Sequence, residues 1–149
     1  MSHITSINHI SFTVSDLDSS IVFYKDVLGL KLLDRSYREP EFSSKVTGLK
    51  NVKLEIAYFE GFNARIELIE YILPEIKTYA DTTTSNVGSA HVCFNIDNFQ
   101  EFVANLKTNN VEILGEVCTI PAGPNSGKGV LYFNDPDNNT IEVISNLKI

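Results

Sequence analysis

The sequence predicts an α+β protein of two tandem β-α-β-β-β modules, whose eight strands enclose a cleft and whose helices lie outside. Three observations support this fold. A polar–apolar alternation containing a histidine occurs twice, an amphipathic helix pattern follows each copy, and each half ends in a β-rich segment around a glutamate. Such internal repetition indicates two copies of one supersecondary unit. A single domain, residues 1–149, is expected, with module one over about 5–75 and module two over about 87–147.

The first strand of each module is predicted from strict alternation. Residues 8–17 read NHISFTVSDL and residues 90–99 read AHVCFNIDNF, so both copies place a histidine in the polar phase. Successive side chains of a strand point to opposite faces of a sheet. The apolar row of each strand therefore packs inside, and His9 and His91 face away from it.

An amphipathic helix follows each first strand. In module one, Asp16 or Asp18 can cap the helix N-terminus, and Gly29 ends the helix. In module two, the apolar spacing predicts a helix from about Asp97 to Thr108.

Three further strands complete each module, and turn-forming residues precede the last of them. The predicted strands are residues 31–38, 52–59 and 66–69 in module one, and 111–120, 129–133 and 141–144 in module two. A polar, threonine-rich segment, residues 78–86, links the modules.

Composition and charge restrict the classes of partner. A hydrophobic share of 43% supports a core without disulfides, and the net charge of −7 opposes binding to nucleic acid or an anionic membrane. No window approaches the ~18 apolar residues of a membrane span, and no leader pattern opens the chain, so a cytoplasmic protein is expected. Cys93 and Cys118 form no CxxC motif, and Cys93 is expected to be a buried, reduced thiol.

The repeat also duplicates side chains that can bind a metal ion. Two of the three histidines, His9 and His91, hold equivalent positions, and the segments IELI and IEVI place Glu67 and Glu142 at another equivalent pair. Glu70 competes with Glu67 but falls on the opposite strand face. About a pseudo-twofold axis, two imidazoles and two carboxylates would converge. This set suits Ni²⁺, Co²⁺, Zn²⁺, Mn²⁺ or Fe²⁺ better than Ca²⁺.

Together these segments resemble the vicinal oxygen chelate superfamily, which includes glyoxalase I, methylmalonyl-CoA epimerase, extradiol dioxygenases and fosfomycin-resistance proteins. The matching segments are INHI running into FYKDVLGL, then RIELIE, GSAHV, and NDPD leading to IEVI. They span nearly the whole chain. The resemblance implies a homodimer that binds a small molecule, with one divalent transition metal per site held by His9, Glu67, His91 and Glu142.

The ligand set and one departure from the family pattern rank the reactions. Extradiol dioxygenases and fosfomycin-resistance enzymes typically use two histidines and one glutamate, whereas glyoxalase I and the epimerases use a fourth ligand at the position of Glu67. Thr13 stands where glutathione-dependent glyoxalases commonly carry an arginine. The resemblance therefore implies a metal-dependent isomerase or lyase, epimerase or glyoxalase-like. It would abstract a proton next to a metal-bound carbonyl, with Glu142 as base and Glu67 able to act from the other side.

Two alternatives stay open. One is an Fe²⁺- or Mn²⁺-dependent ring-cleaving dioxygenase that uses His9, His91 and Glu142 as a facial triad. The other is a metal-free, resistance-type protein that sequesters a drug in the same cleft.

Candidate substrate contacts lie in two segments that could form the mouth of the site. Residues 42–48 contain Lys45, and residues 121–129 contain Lys128, so an anionic substrate is compatible with this otherwise acidic chain. Glu55 is a remoter candidate base, and its simpler interpretation is an exposed strand residue.

Overall fold

The structure, a computed structural model, describes residues 3–75 and 78–146 and divides into two compact units. They are Met1–Tyr79, called module one, and Ala80–Ile149, called module two. Each contains one four-stranded mixed sheet, so the predicted α+β class and the two modules of four strands are confirmed. The enclosure of a cleft by the eight strands stays a prediction.

Sheet one has the strand order β1-β4-β3-β2, with β1 parallel to β4 and the other pairs antiparallel. Its strands are β1 (His9–Val14), β2 (Leu32–Arg38), β3 (Lys53–Gly61) and β4 (Ala64–Leu73). The last strand is longer than the predicted residues 66–69, because β4 pairs with β3 along its whole length.

The first helix, α1 (Leu17–Val22), begins as predicted at Asp16, whose carboxylate accepts a hydrogen bond from Ser19 N at 2.8 Å. It continues into a π-helical turn, Phe23–Val27. Gly29 then turns the chain at φ +73°, a conformation that favours glycine. The predicted start and end of this helical segment are therefore confirmed.

A second helix in module one, α2 (Pro40–Thr47), is not among the predicted elements, since residues 42–48 were interpreted only as a segment at the mouth of the site. Its signals are nevertheless present in the sequence. Proline occupies the first turn, and Gly48 follows the last residue at φ +73° and donates its backbone N–H to Ser44 O at 3.1 Å. This helix packs against β3.

Sheet two repeats the topology of sheet one, with the order β5-β8-β7-β6 and a parallel β5–β8 pair. Asn98 caps its helix by accepting a hydrogen bond from Glu101 N at 3.1 Å. The elements are β5 (His91–Asn95), α3 (Phe99–Thr108), β6 (Ile113–Thr119), β7 (Lys128–Asn134) and β8 (Thr140–Asn146).

The core of each module lies between its sheet and the helix that follows the first strand. In module one, Tyr24 and Phe59 are fully buried, with ring centroids 5.9 Å apart. In module two, Phe133 is fully buried against Phe102, at 5.8 Å between centroids. None of the helices in residues 3–75 and 78–146 is long and apolar enough to cross a membrane.

Candidate metal-binding site

The face of sheet one that points away from α1, called site face one, brings together the side chains of His9, Tyr58 and Glu67. Strand pairing places Ser11 of β1 and Tyr58 of β3 on either side of Glu67 in β4. His9 Nε2 lies 3.4 Å from Glu67 Oε2. The alternation that predicts His9 on the face opposite the apolar row thus also makes it a neighbour of Glu67.

Hydrogen bonds define the orientation of both side chains. The Tyr58 hydroxyl donates to Glu67 Oε1, which leaves Oε2 on the side of His9. His9 Nδ1 lies 2.9 Å from Asn8 Oδ1. Because that oxygen only accepts, this contact requires an Nδ1–H, and the tautomer protonated at Nδ1 alone carries its lone pair on Nε2. A metal ion would need this tautomer at Nε2.

Glu67 is more enclosed than His9, with 7% of its side chain exposed against 38% for His9. The Tyr58 ring packs edge-on to the His9 ring at 6.0 Å. Burial, together with the hydrogen bond to Glu67, raises the pKa of Tyr58 to about 12. The phenol therefore remains a hydrogen-bond donor to Glu67 at neutral pH.

The corresponding face of sheet two, site face two, carries a similar arrangement. Strand pairing places Cys93 of β5 and Tyr132 of β7 on either side of Glu142 in β8. His91 Nε2 lies 3.1 Å from Glu142 Oε2, and their side chains are 39% and 16% exposed. The Tyr132 ring lies 5.1 Å from the His91 ring. Burial and the charge of Glu142 raise the pKa of Tyr132.

Cys93 is exposed, so its prediction as a buried thiol is wrong. Residue 93 shares the strand phase of His91, which puts its side chain on site face two instead of in the core. Its thiol forms a hydrogen bond with Glu142. Partial burial and this hydrogen bond raise the pKa of Cys93 to about 12.

Tight turns set the start of the two strands that carry the glutamates. Between β7 and β8, the buried carboxylate of Asp135 accepts hydrogen bonds from Asp137 N at 2.9 Å and from Asn139 N at 2.8 Å. Between β3 and β4, a Cβ on Gly61 would meet the Ala64 carbonyl oxygen at 2.4 Å, so only glycine fits there without a backbone shift. Both turns hold a glutamate strand in register.

The two predicted substrate lysines occupy different environments. Lys128 shares the strand phase of Tyr132, so it lies on site face two, and its Nζ is 3.1 Å from Asn125 Oδ1. Lys45 lies on α2 as an exposed residue, 3.6 Å from Glu41. The structure thus places Lys128, and not Lys45, on the same sheet face as a candidate ligand.

Two further acidic residues lie on the opposite face of sheet one. Glu70 Oε2 accepts a hydrogen bond from Leu17 N at 2.8 Å, as expected for a residue out of phase with Glu67. Glu55 is 6% exposed, so its interpretation as an exposed strand residue is wrong. Arg35 makes it possible to bury this charge, through contacts of 2.7 and 3.1 Å to the two Glu55 oxygens. Hydrogen bonds to Glu55 and Asp18 raise the pKa of Arg35.

The donor atoms of each His–Glu pair are spaced like two ligands of one transition-metal ion. Nitrogen and oxygen ligands about 2.0–2.2 Å from one ion stand about 2.9–3.5 Å apart, and the His–Glu separations are 3.4 and 3.1 Å. Within neither module do the described residues gather three or more side chains that could hold a metal ion. The ligand roles of these residues stay a prediction.

Tyr58, Tyr132 and Cys93 were not among the predicted site residues. A signal for the tyrosines exists, because the dipeptide Tyr-Phe occurs at residues 58–59 and again at 132–133, once in each module before the glutamate strand. The repeat therefore duplicates three residue types on the site faces, histidine, tyrosine and glutamate.

Known proteins are similar to this chain in sequence along nearly its whole length. The sequence matches the model of the Glyoxalase/Bleomycin resistance protein/Dioxygenase superfamily over residues 6–143. Metallothiol transferase FosB of Staphylococcus epidermidis is 34% identical over 143 residues, which cover 94% of this chain and 81% of that protein. Lactoylglutathione lyase of Schizosaccharomyces pombe is 31% identical over 149 residues, which cover 93% of this chain and 47% of that protein. The chain thus spans about half the length of this lyase.

A solved structure shows the same fold. A glyoxalase family protein from Bacillus cereus superposes with a TM-score of 0.85 at 25% sequence identity, and the match covers 97% of this chain and 95% of that one. The two-module topology is therefore shared along nearly the full length of both proteins.

Proposed function

Because the chain belongs to the Glyoxalase/Bleomycin resistance protein/Dioxygenase superfamily, the family that its motifs resemble, we propose that it is a metal-dependent isomerase or lyase. It removes a proton next to the carbonyl of a small oxygenated substrate. It then returns the proton to the same carbon, as an epimerase, or to the adjacent carbon, as glyoxalase I does. The observation that carries this proposal is the His–Glu pair present once on each site face.

The proposed cofactor is one divalent transition metal per site, Ni²⁺, Co²⁺, Zn²⁺, Mn²⁺ or Fe²⁺. The residues that would hold it are His9, Glu67, His91 and Glu142, from one chain or from two chains of a homodimer. When bound, such an ion supplies Lewis acidity that stabilises negative charge developing on a substrate oxygen.

The chain's own residues supply the proton transfer and the substrate contacts. Glu142 is the proposed base, because its carboxylate is more exposed than that of Glu67, at 16% against 7%. Lys128 lies on the same site face and can attract an anionic group of the substrate. Lys45, which is exposed on α2 and paired with Glu41, is the weaker of the two candidate substrate contacts. We place this activity in the cytoplasm.

A thiol transferase is a second candidate, favoured by the 34% identity to metallothiol transferase FosB. The presence of Glu67 on site face one favours the isomerase or lyase, since a site with two histidines and one glutamate has no need of it. A dioxygenase is tested by oxygen uptake with catechols, and a metal-free drug-binding protein by retention of ligand binding after chelation.

The first test is the metal content of protein purified without a His-tag or chelator. We expect about one transition-metal ion per chain, lost in a Glu67→Ala, Glu142→Ala double variant. A matched control, Glu41→Ala with Glu116→Ala, removes two exposed glutamates, one from each module, and should keep the metal. Metal-loaded protein is then screened for solvent-deuterium incorporation into hydroxyketones, branched acyl thioesters and hemithioacetals.

Two results would count against the proposal. A wild-type protein that stays empty after incubation with Ni²⁺, Co²⁺, Mn²⁺ and Zn²⁺ has no metal site of this kind. Equal metal loss in the control variant would show that the effect of the double variant is not specific to Glu67 and Glu142.

A further inference from the structure

We infer that Tyr58 is a positioning residue that holds Glu67 as a one-oxygen ligand beside His9 and leaves proton transfer to Glu142. The inference rests on the proposed function and assigns separate roles to two carboxylates that the repeat makes equivalent.

The two oxygens of Glu67 have different partners. Oε1 accepts the hydrogen bond of the Tyr58 hydroxyl, and Oε2 lies 3.4 Å from His9 Nε2. A rotation of the carboxylate toward a substrate would break the contact with the phenol. Since a buried acceptor that loses its partner is destabilised, the arrangement favours a fixed carboxylate with one oxygen available to a metal ion.

Tyr58 is itself held in place from several sides. Its backbone pairs directly with Glu67 in the β3–β4 ladder. Its side chain packs against a buried apolar cluster of Val52, Leu54 and Ile56, and its ring meets the His9 ring edge-on. A donor fixed by packing restricts its acceptor more than a mobile one does, so the orientation of Glu67 is set before any metal ion binds.

Glu142 has a different partner and a more open position. Its side-chain hydrogen bond comes from the Cys93 thiol, which is a weak donor compared with a phenol hydroxyl. Its side chain is 16% exposed, against 7% for Glu67. Reorientation of the Glu142 carboxylate therefore costs less free energy than reorientation of Glu67. A group that takes up a proton and returns it must be able to reorient in this way.

The test compares Tyr58→Phe with Tyr37→Phe, which removes a phenol hydroxyl from an exposed position on β2 of the same sheet. The dissociation constant for Co²⁺ is measured by visible absorption against a competing chelator. We expect about a 10- to 100-fold weaker affinity in Tyr58→Phe, the range found when residues that orient metal ligands are removed. Tyr37→Phe should bind Co²⁺ like the wild type.

A second readout separates positioning from a general loss of structure. At saturating Co²⁺, substrate deuterium exchange by Tyr58→Phe should stay within about threefold of the wild type, because the base is Glu142. The inference is overturned if Tyr58→Phe keeps wild-type Co²⁺ affinity, or if Cys93→Ala weakens that affinity as much as Tyr58→Phe does.

A measurement without metal distinguishes failure of this inference from failure of the proposed function. The hydrogen-bonded Tyr58 hydroxyl proton should give a downfield NMR resonance in metal-free wild type that is lost in both Tyr58→Phe and Glu67→Ala. If the wild type binds no Co²⁺, the proposed function fails. Absence of the resonance from the wild type overturns the positioning role of Tyr58, whatever the metal result.

Discussion

On site face one, Leu54 and Ile56 of β3 are each 6% exposed, whereas Lys128 and Val130, at the equivalent positions of β7, are only half-buried. The strand order and the His–Tyr–Glu arrangement are the same in both modules. What differs is the segment between the second and third strands. In module one this segment contains α2, which packs against β3, and in module two it is a hairpin loop, residues 120–127.

This difference shows how a repeated unit can keep its donor atoms and change what surrounds them. In module one, an apolar cluster and a phenol enclose Glu67. In module two, a thiol and a lysine lie on the face of Glu142. Under the proposed function, module one is suited to holding a metal ion rigidly, and module two to meeting the substrate.

The largest effect on activity should come from replacing each of the two glutamates, in separate variants, with glutamine. Glu142→Gln is expected to lower deuterium exchange at saturating metal by at least about 100-fold, because it removes the general base. Glu67→Gln should mainly weaken metal binding. Both variants are measured at several metal concentrations. Should Glu67→Gln lose more activity at saturation than Glu142→Gln, the assigned roles are reversed.

The next effect concerns the face of sheet one opposite the site. Arg35→Ala is expected to lower the free energy of unfolding by about 2 kcal/mol, because it leaves Glu55 buried without its partner. This is below the usual cost of breaking a buried pair, since the Arg35 side chain is 37% exposed. Urea unfolding of Arg35→Ala and of the wild type measures the change in the free energy of unfolding. An Arg35→Met, Glu55→Met double variant should recover most of the lost free energy of unfolding, because neither charge is then buried alone. Module two has Gly129 at the position equivalent to Glu55 and so has no counterpart of this ion pair at that position.

A smaller effect distinguishes the two exposed cysteines. The pKa of Cys93 is raised to about 12, so at pH 8 its thiol stays protonated and reacts slowly. In metal-free protein, iodoacetamide should modify Cys93 at least about tenfold more slowly than Cys118, as followed by peptide mass spectrometry. Equal rates would show that neither burial nor the Glu142 carboxylate protects the thiol. Glu142→Gln should speed the reaction of Cys93 by removing the second of these causes.

The smallest effect tests the lysines. Lys128→Ala should raise the KM for an anionic substrate about fivefold, the size expected for a partly exposed ion pair, with little change for a neutral analogue. Lys45→Ala should change KM less than twofold, because Lys45 is exposed and pairs with Glu41. A larger effect of Lys45→Ala would instead assign the substrate contact to α2.

Much of the fold could be predicted from local patterns. The alternation around His9 and His91 gave the correct strand faces, and Asp16 and Gly29 marked the ends of the first helical segment. These features depend on the period of a strand and on capping and turn geometry, which involve residues near one another in sequence. The helix α2 could have been found in the same way, from Pro40 and Gly48.

The environments of the charged side chains depended on tertiary structure. The strand pattern predicts an exposed Glu55, yet Arg35, twenty residues away on another strand, allows its carboxylate to be buried. The alternation in its strand indicates that Cys93 lies on the same face as His91. Its contact with Glu142 depends on the β5–β8 pairing. Partners of this kind come from other strands, and a periodic pattern does not specify them.

By itself the sequence determined the repeated module, through its internal repetition, and the family, through the motifs that resemble it. It also placed the two histidines and the two glutamates at equivalent positions of the repeat. Only the tertiary structure decided that Tyr58 donates to Glu67 and that Cys93 hydrogen-bonds to Glu142. The physical reason is strand register. A shift of one residue between β3 and β4 would turn Tyr58 to the other face, and that register is set by packing and turn geometry along the whole ladder.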